Sequence, residues 1–379
     1  MDVSFEERLG ADLHAALGDG PPPVGDFAEI ERQGRRRQRR RRVAGLGVVA
    51  STLVVVVALG VLAVGWGGSS SHVEVGAGEG PTTSVPTSTT VTVSTGMPIA
   101  SATALGTDQV DGVAGTPDGA WVSLWGTGEV VRVDSTGAIT ARVPVGTGRN
   151  GPLAIANGEG AVWVLDFSSF NLLRIDPATA AVTGTFHFAQ EPERLAVGRG
   201  QVFVTTCCID QPPNQQLLAI DAASLRLRSA LPLPGQGESE RVAASADGLF
   251  VTGELFDDVV QLDPYGVRVV RKIPVGAPSC ALAAVPTASG VWCALGSNLI
   301  GIDPATGATA TTPAPDRILA ITVIDGAPAV TTPSGLYRFD GSTWQPLAML
   351  EGLGLLAPDT GTTGGVWVVR GSDLLHLTG

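Results

Sequence analysis

Three short stretches place an acid directly before an arginine and an apolar residue: Glu193-Arg194-Leu195, Glu240-Arg241-Val242 and Asp316-Arg317-Ile318. A guanidinium offers five donors in a planar fork, so several of them facing one another hold a carboxylate or another small anion through paired hydrogen bonds. The neighbouring acids Glu193, Glu240 and Asp316 support a second reading, a rim of structural ion pairs in which each arginine is neutralised. Such pairs at a surface add little stability. If the site were catalytic, Glu191, Glu193 or Glu240 would act as acid and base, with the arginines stabilising developing charge.

No sharper chemistry is present. There is no GxSxG elbow, no HExxH pair and no glycine loop shaped for phosphate. The histidines His14, His72, His187 and His376 are scattered, and the four cysteines match no zinc spacing, so neither a metal nor another cofactor is expected. Cys207, Cys208, Cys280 and Cys293 all lie in the C-terminal part, as suits an oxidising compartment. Cys280 and Cys293 flank a turn, PTASG, and are expected to bridge a hairpin; Cys207 and Cys208 are adjacent and are expected to form a vicinal disulfide.

The elements that must position these residues repeat. A strand with an aromatic at its second position recurs at Trp121, Trp163, Phe203, Phe250, Trp292 and Trp367, with a degraded copy around Ala329. The steps are 42, 40, 47, 42, 37 and 38 residues. A period near 40 punctuated by Gly and Pro is that of a β-propeller. Each unit adds a second apolar strand ending in aspartate at a turn: Asp134, Asp176, Asp221, Asp263, Asp303 and Asp340. Turn chemistry accounts for these aspartates without invoking metal. Seven copies of this strand imply seven blades. The last ends at Gly379 without an outer strand, while Ile99 to Gly106 aligns with the outer strand Ile139 to Gly146. The N-terminal strand is therefore expected to complete the final blade and remove an open edge.

The strand ending in IDPATG resembles YVTN-type and streptogramin-lyase-like extracytoplasmic propeller repeats, over residues 98–379. The resemblance implies the fold. Lyase activity is not implied, since His187 is the only histidine inside the repeats apart from the terminal His376. In a propeller the three arginines fall at the mouth of the central channel, on the face that would also carry Trp125, Phe167, Phe170, Phe256 and the loop from Cys207 to Gln216.

The N-terminal part reads differently. Residues 1–42 form a tail ending in seven arginines between Arg35 and Arg42, followed by 24 uncharged residues, Val43 to Trp66. At about 1.5 Å per residue this run spans a bilayer core of roughly 30 Å as one transmembrane helix. The arginine flank sets the tail in the cytoplasm and the C-terminus outside. Residues 67–97, rich in Ser, Thr, Gly and Pro, read as a stalk. This layout resembles that of actinobacterial single-pass membrane proteins, including anti-sigma-like ones, although the zinc pattern of the latter is lacking. Beyond Trp66 the chain has 15 basic and 28 acidic residues, and so acidic a domain repels nucleic acid.

The sequence thus predicts an all-β, seven-bladed propeller preceded by one transmembrane helix at the cell membrane. Its expected role is a non-enzymatic binding or sensing module whose partner is a protein, a glycan or a small anionic ligand. The alternative is a lyase- or hydrolase-like propeller enzyme with its site at the channel mouth.

Overall fold

The computed structural model describes residues 96–379, except 108, 147–150, 208–214, 234–238, 254–257, 277–279, 285–289 and 362–364. The tail, the apolar run 43–66 and the stalk therefore lie outside the described residues, apart from the stalk's last two. Among the described residues no helix is long and apolar enough to cross a membrane.

Within the described residues, twenty-eight strands form seven antiparallel four-stranded sheets. Six are consecutive meanders. Their innermost strands are Val110–Thr116, Pro152–Gly158, Glu191–Gly198, Ser239–Ser245, Ala281–Ala284 and Ala320–Ile324, and the seventh blade's is Leu353–Pro358. Each inner strand contacts the next, and the seventh contacts the first, so the ring closes about an axis. The seventh sheet is completed from the far end of the chain: Ile99–Ala104 pairs antiparallel with Asp373–Leu377. The expected closure is what the structure shows. Leu105, just past this strand, is buried in a cluster with Trp367, Leu374, Val122 and Ala120, which joins the seventh blade to the first.

The recurring aromatic has a packing reason. On the second strand it sits opposite alanine of the inner strand in six blades: Trp121 with Ala114, Trp163 with Ala156, Phe203 with Ala196, Phe250 with Ala243, Trp292 with Ala283 and Trp367 with Ala357. Inner strands crowd together near the axis, so a small residue there leaves room for the ring beside it. All except Trp292 are fully buried. The sixth blade breaks the pattern with Ala329 opposite Thr322.

The turn aspartates act as expected. Asp176 and Asp303 accept backbone N–H bonds from the residue two ahead, Ala178 at 2.7 Å and Ala305 at 2.8 Å. Asp340 accepts from Ser342 and Thr343, both at 2.8 Å. These bonds favour the carboxylate. The Thr343 amide foremost holds Asp340 well below the usual carboxylate range, the Ser224 hydroxyl does so for Asp221, and the Thr306 hydroxyl lowers Asp303.

One predicted disulfide is present: Cys280 is bonded to Cys293, with Cα atoms 5.5 Å apart. Cys293 lies in the strand Val291–Leu295, whereas Cys280 immediately precedes its strand rather than lying within it. Cys207 is also disulfide-bonded. Its expected partner Cys208 lies outside the described residues.

Candidate functional site at the channel mouth

Blades three and four each open their inner strand with a β-bulge. The register of Glu191–Gly198 against its neighbour shifts between Pro192 and Arg194, and that of Ser239–Ser245 between Ser239 and Arg241. Glu193 and Glu240 are the extra residues. A bulge re-aims side chains and raises local twist. Beyond it, Arg194 pairs with Thr205 and Arg241 with Thr252, at the same register of two inner strands in contact. The same position in blades one, two, five and six is Gly112, Ala154, Ala281 and Ala320. Two long cationic side chains, both half-buried, thus stand at the start of neighbouring inner strands where four other blades have almost none.

The third arginine is not equivalent. Arg317 precedes Ala320, the residue at the matching register, by three positions, and is exposed. Its amide donates to its neighbour Asp316 Oδ1 at 2.6 Å. The cause is a longer approach to the sixth blade: the amide of Ile318 donates to Gly296 and that of Leu319 to Thr331, so the chain is fixed before the strand begins. Arg194 and Arg241 thus share a register that Arg317 does not.

Arg194 is held from both sides of its backbone. Its amide donates to Thr205 Oγ1 at 3.2 Å, and its Nη1 to the carbonyl of Glu193 at 2.8 Å. Glu193 is only 3% exposed and places Oε1 at 2.8 Å from Cys207 Sγ. With Glu191 these groups cluster within 4.8 Å, close enough to surround a cation. The chemistry does not fit: the ligating form of cysteine is the thiolate, and Cys207 is in a disulfide. For Glu240 the backbone bulge is all that is described.

The loops joining second to third strands share this end of the ring. There Trp125 lies 5.6 Å from Phe167, centroid to centroid, and Phe167 lies 6.2 Å from Phe170. All three are half-buried, so they are a packed cluster rather than single exposed rings. Phe256 lies outside the described residues, as does most of the loop after Cys207.

Sequence reasoning passed over one buried polar unit. His376, 2% exposed, stacks on Trp367 at 4.0 Å, and its Nε2 lies 3.1 Å from Asp359 Oδ2. The signal was the repeat itself, since His376 pairs with Trp367 just as Arg132 pairs with Trp121. His187, the other histidine of the domain, is exposed and bonds Asn171 at 3.1 Å.

These features define a class: a closed seven-bladed β-propeller. Among solved structures the chain is similar to a streptogramin B lyase, at 16% identity and TM-score 0.61 over 72% of this chain and 94% of that one. It is similar to virginiamycin B lyase from Staphylococcus aureus, at 14% identity and TM-score 0.58 over 73% and 97%. It is also similar to the Neurospora crassa Pan2 WD40 domain, at 11% identity and TM-score 0.61 over 74% and 94%. At such identities the likeness is of fold alone, and one fold hosts many functions. No family model matches the sequence, and no curated protein matches it.

Proposed function

We propose that the chain is a membrane-tethered, non-enzymatic binding or sensing module that takes a small carboxylate-bearing ligand at the channel mouth. The observation that carries this reading is the pairing of Arg194 and Arg241 in one register on adjacent inner strands. Two guanidinium groups side by side offer planar forks of donors suited to a carboxylate. Arg317 and Asp316 contribute from the rim, and Glu193 and Glu240 occupy the bulges just before the arginines. The tether is Val43 to Trp66, with the tail inside and the propeller outside. Lyase chemistry is not carried over from the similar structures, because His187 sits on the outer strand of its blade and His376 is buried against Trp367.

A thermal-shift screen of mono-, di- and tricarboxylates against the full-length protein tests this. At least one carboxylate should raise the midpoint, and Arg194→Ala or Arg241→Ala should abolish the shift while leaving the midpoint of the free protein nearly unchanged. Arg142→Ala, an exposed arginine of blade one paired with Glu129 at 3.2 Å, should leave the shift intact. A shift that survives both mouth substitutions, or the failure of every carboxylate, would refute the site.

A further inference from the structure

The turn that joins third and fourth strands is made of small residues in five blades. Ser135-Thr136, Ala178-Thr179, Ala223-Ser224, Ala305-Thr306 and Ser342-Thr343 occupy it in blades one, two, three, five and six. Blade four has Pro264-Tyr265-Gly266-Val267 in that place. Gly266 explains how the turn sits. It takes a φ of +68° and is buried, and a β-carbon on it would stand 3.1 Å from Leu217 Cδ2 and 3.3 Å from Phe203 Cδ1 of blade three. With the glycine seated against the neighbouring blade, Tyr265 and Val267 on either side of it are turned outward, 55% and 52% exposed. Asp263 fixes the turn: its Oδ1 accepts from the amide of Val267 at 2.8 Å, and its carbonyl from that of Gly266 at 3.0 Å.

The apolar surface continues from this turn. Val269 and Val270 open the outer strand Val269–Pro274 and both are exposed, as is Leu227 at the start of the outer strand of blade three. Five of the nine large apolar side chains exposed among the described residues thus fall on these two neighbouring blades. The two turns border one cleft, with Asp221 and Arg228 on one wall and Tyr265 and Val267 on the other, so these groups form a single patch. A contiguous exposed apolar patch marks a membrane or protein contact, where a lone exposed side chain does not.

The charge of the patch is opposite to that of the domain. Residues 221–232 and 263–274 hold Arg226, Arg228, Arg268, Arg271 and Lys272 against Asp221 and Asp263, whereas the chain beyond Trp66 has 15 basic and 28 acidic residues. Arg228 pairs with Asp221 at 2.6 Å and Arg268 with Asp263 at 3.7 Å, while Arg271 turns to the carbonyl of Ala305 in blade five. Arg226 and Lys272 supply the excess. Both are exposed, and Lys272 shares a strand face with Val270. A tyrosine, aliphatic side chains and surplus cations together are the combination that partitions to the interface of an anionic bilayer.

We propose that this face of blades three and four docks on the anionic headgroup surface of the membrane that carries the protein, an inference that rests on the proposed span Val43 to Trp66. Residues 67–97 reach at most roughly 100 Å, at about 3.3–3.6 Å per residue, so the bilayer is the surface held nearest to the domain. A second contact within that reach is intramolecular and gains from effective concentration. The rest of the domain is acidic and is repelled by the same lipids, so one orientation is selected. In each meander the inner strand runs from the mouth to the far end and the third strand does so again, which puts the turns before the outer strands opposite the mouth. Docking by the blade-four turn therefore directs Arg194 and Arg241 away from the bilayer, toward incoming ligand.

The test is hydrogen exchange of the full-length protein in nanodiscs of phosphatidylcholine alone or mixed with phosphatidylglycerol, read by mass spectrometry. Amides of residues 263–272 should exchange at least threefold more slowly in the anionic discs, while those of residues 191–198 at the mouth stay unchanged. Tyr265→Ser with Val267→Ser, and separately Arg226→Glu with Lys272→Glu, should each remove that protection with the thermal midpoint nearly unchanged, since all four side chains are exposed. Incorporation into the discs reports the span by itself and should be unaffected by either pair. A protein that fails to incorporate is mixed instead with vesicles of the same two compositions, where protection on the anionic vesicles alone would uphold the patch without the span. Equal exchange in both lipids, protection that survives both pairs of substitutions, or protection that grows with protein concentration regardless of lipid, which would assign the face to a second copy, overturns the proposal.

Discussion

Replacing Leu105 with alanine tests whether the N-terminal strand closes the ring. Leu105 is 2% exposed and packs among Trp367, Leu374 and Val122, so the substitution removes buried methyl groups at the junction of the seventh and first blades. A buried Leu→Ala change costs about 2–5 kcal/mol, and about 3 is a reasonable centre. A cooperative domain of about 280 residues has an unfolding entropy near 0.6 kcal/mol/K, at about 2.1 cal/mol/K per residue, so its midpoint should fall by about 5 °C. The control is Ile99→Ala in the strand just before it, where the side chain is 46% exposed and the cost should stay within about 0.5 kcal/mol, or about 1 °C. Scanning calorimetry on the two variants separates them. Equal shifts would mean that Leu105 is not in the core and that the ring is closed some other way.

Non-reducing peptide mapping should recover Cys280 joined to Cys293; Cys280→Ala with Cys293→Ala should lower stability by about 3 kcal/mol on chain-entropy grounds for a loop of this length, whereas free thiols at both positions would exclude the bond. The turn carboxylates Asp340, Asp221 and Asp303 have folded-state values depressed below their unfolded ones, so the stability they give is complete above about pH 4 and is lost as pH falls further. Midpoints measured from pH 7 downward should therefore stay level to about pH 5 and drop below about pH 4, with a shallower drop in Asp340→Asn; a variant profile identical to the parent's would remove Asp340 from the account. A reporter fused after Gly379 should be active only outside the cytoplasm, and deletion of residues 98–106 should cost more stability than deletion of 67–96.

The fold was largely legible because its determinants are local and periodic. An aromatic on one strand and alanine opposite it on the next recur near every fortieth residue, and aspartate marks each turn. The closing strand was legible because Ile99 to Gly106 matches an outer strand elsewhere in the chain. The site was less so. Acid, arginine and apolar residue in succession describe Arg317 as well as Arg194, yet strand register depends on how many residues the approach consumes and on where a bulge falls, and neither leaves a mark in the triplet.

The closing sheet also imposes an order in time. Ile99–Ala104 leaves the ribosome first among the strands of the propeller, and its partner Asp373–Leu377 leaves last. Throughout synthesis the early strand has no mate, and the half-built seventh sheet offers its hydrogen-bonding edge to any other chain nearby. Contacts so distant in sequence form slowly. Mispairing before the ring closes is therefore a route to loss of this protein distinct from unfolding of the finished ring, and a chaperone that shields an open edge would guard against it.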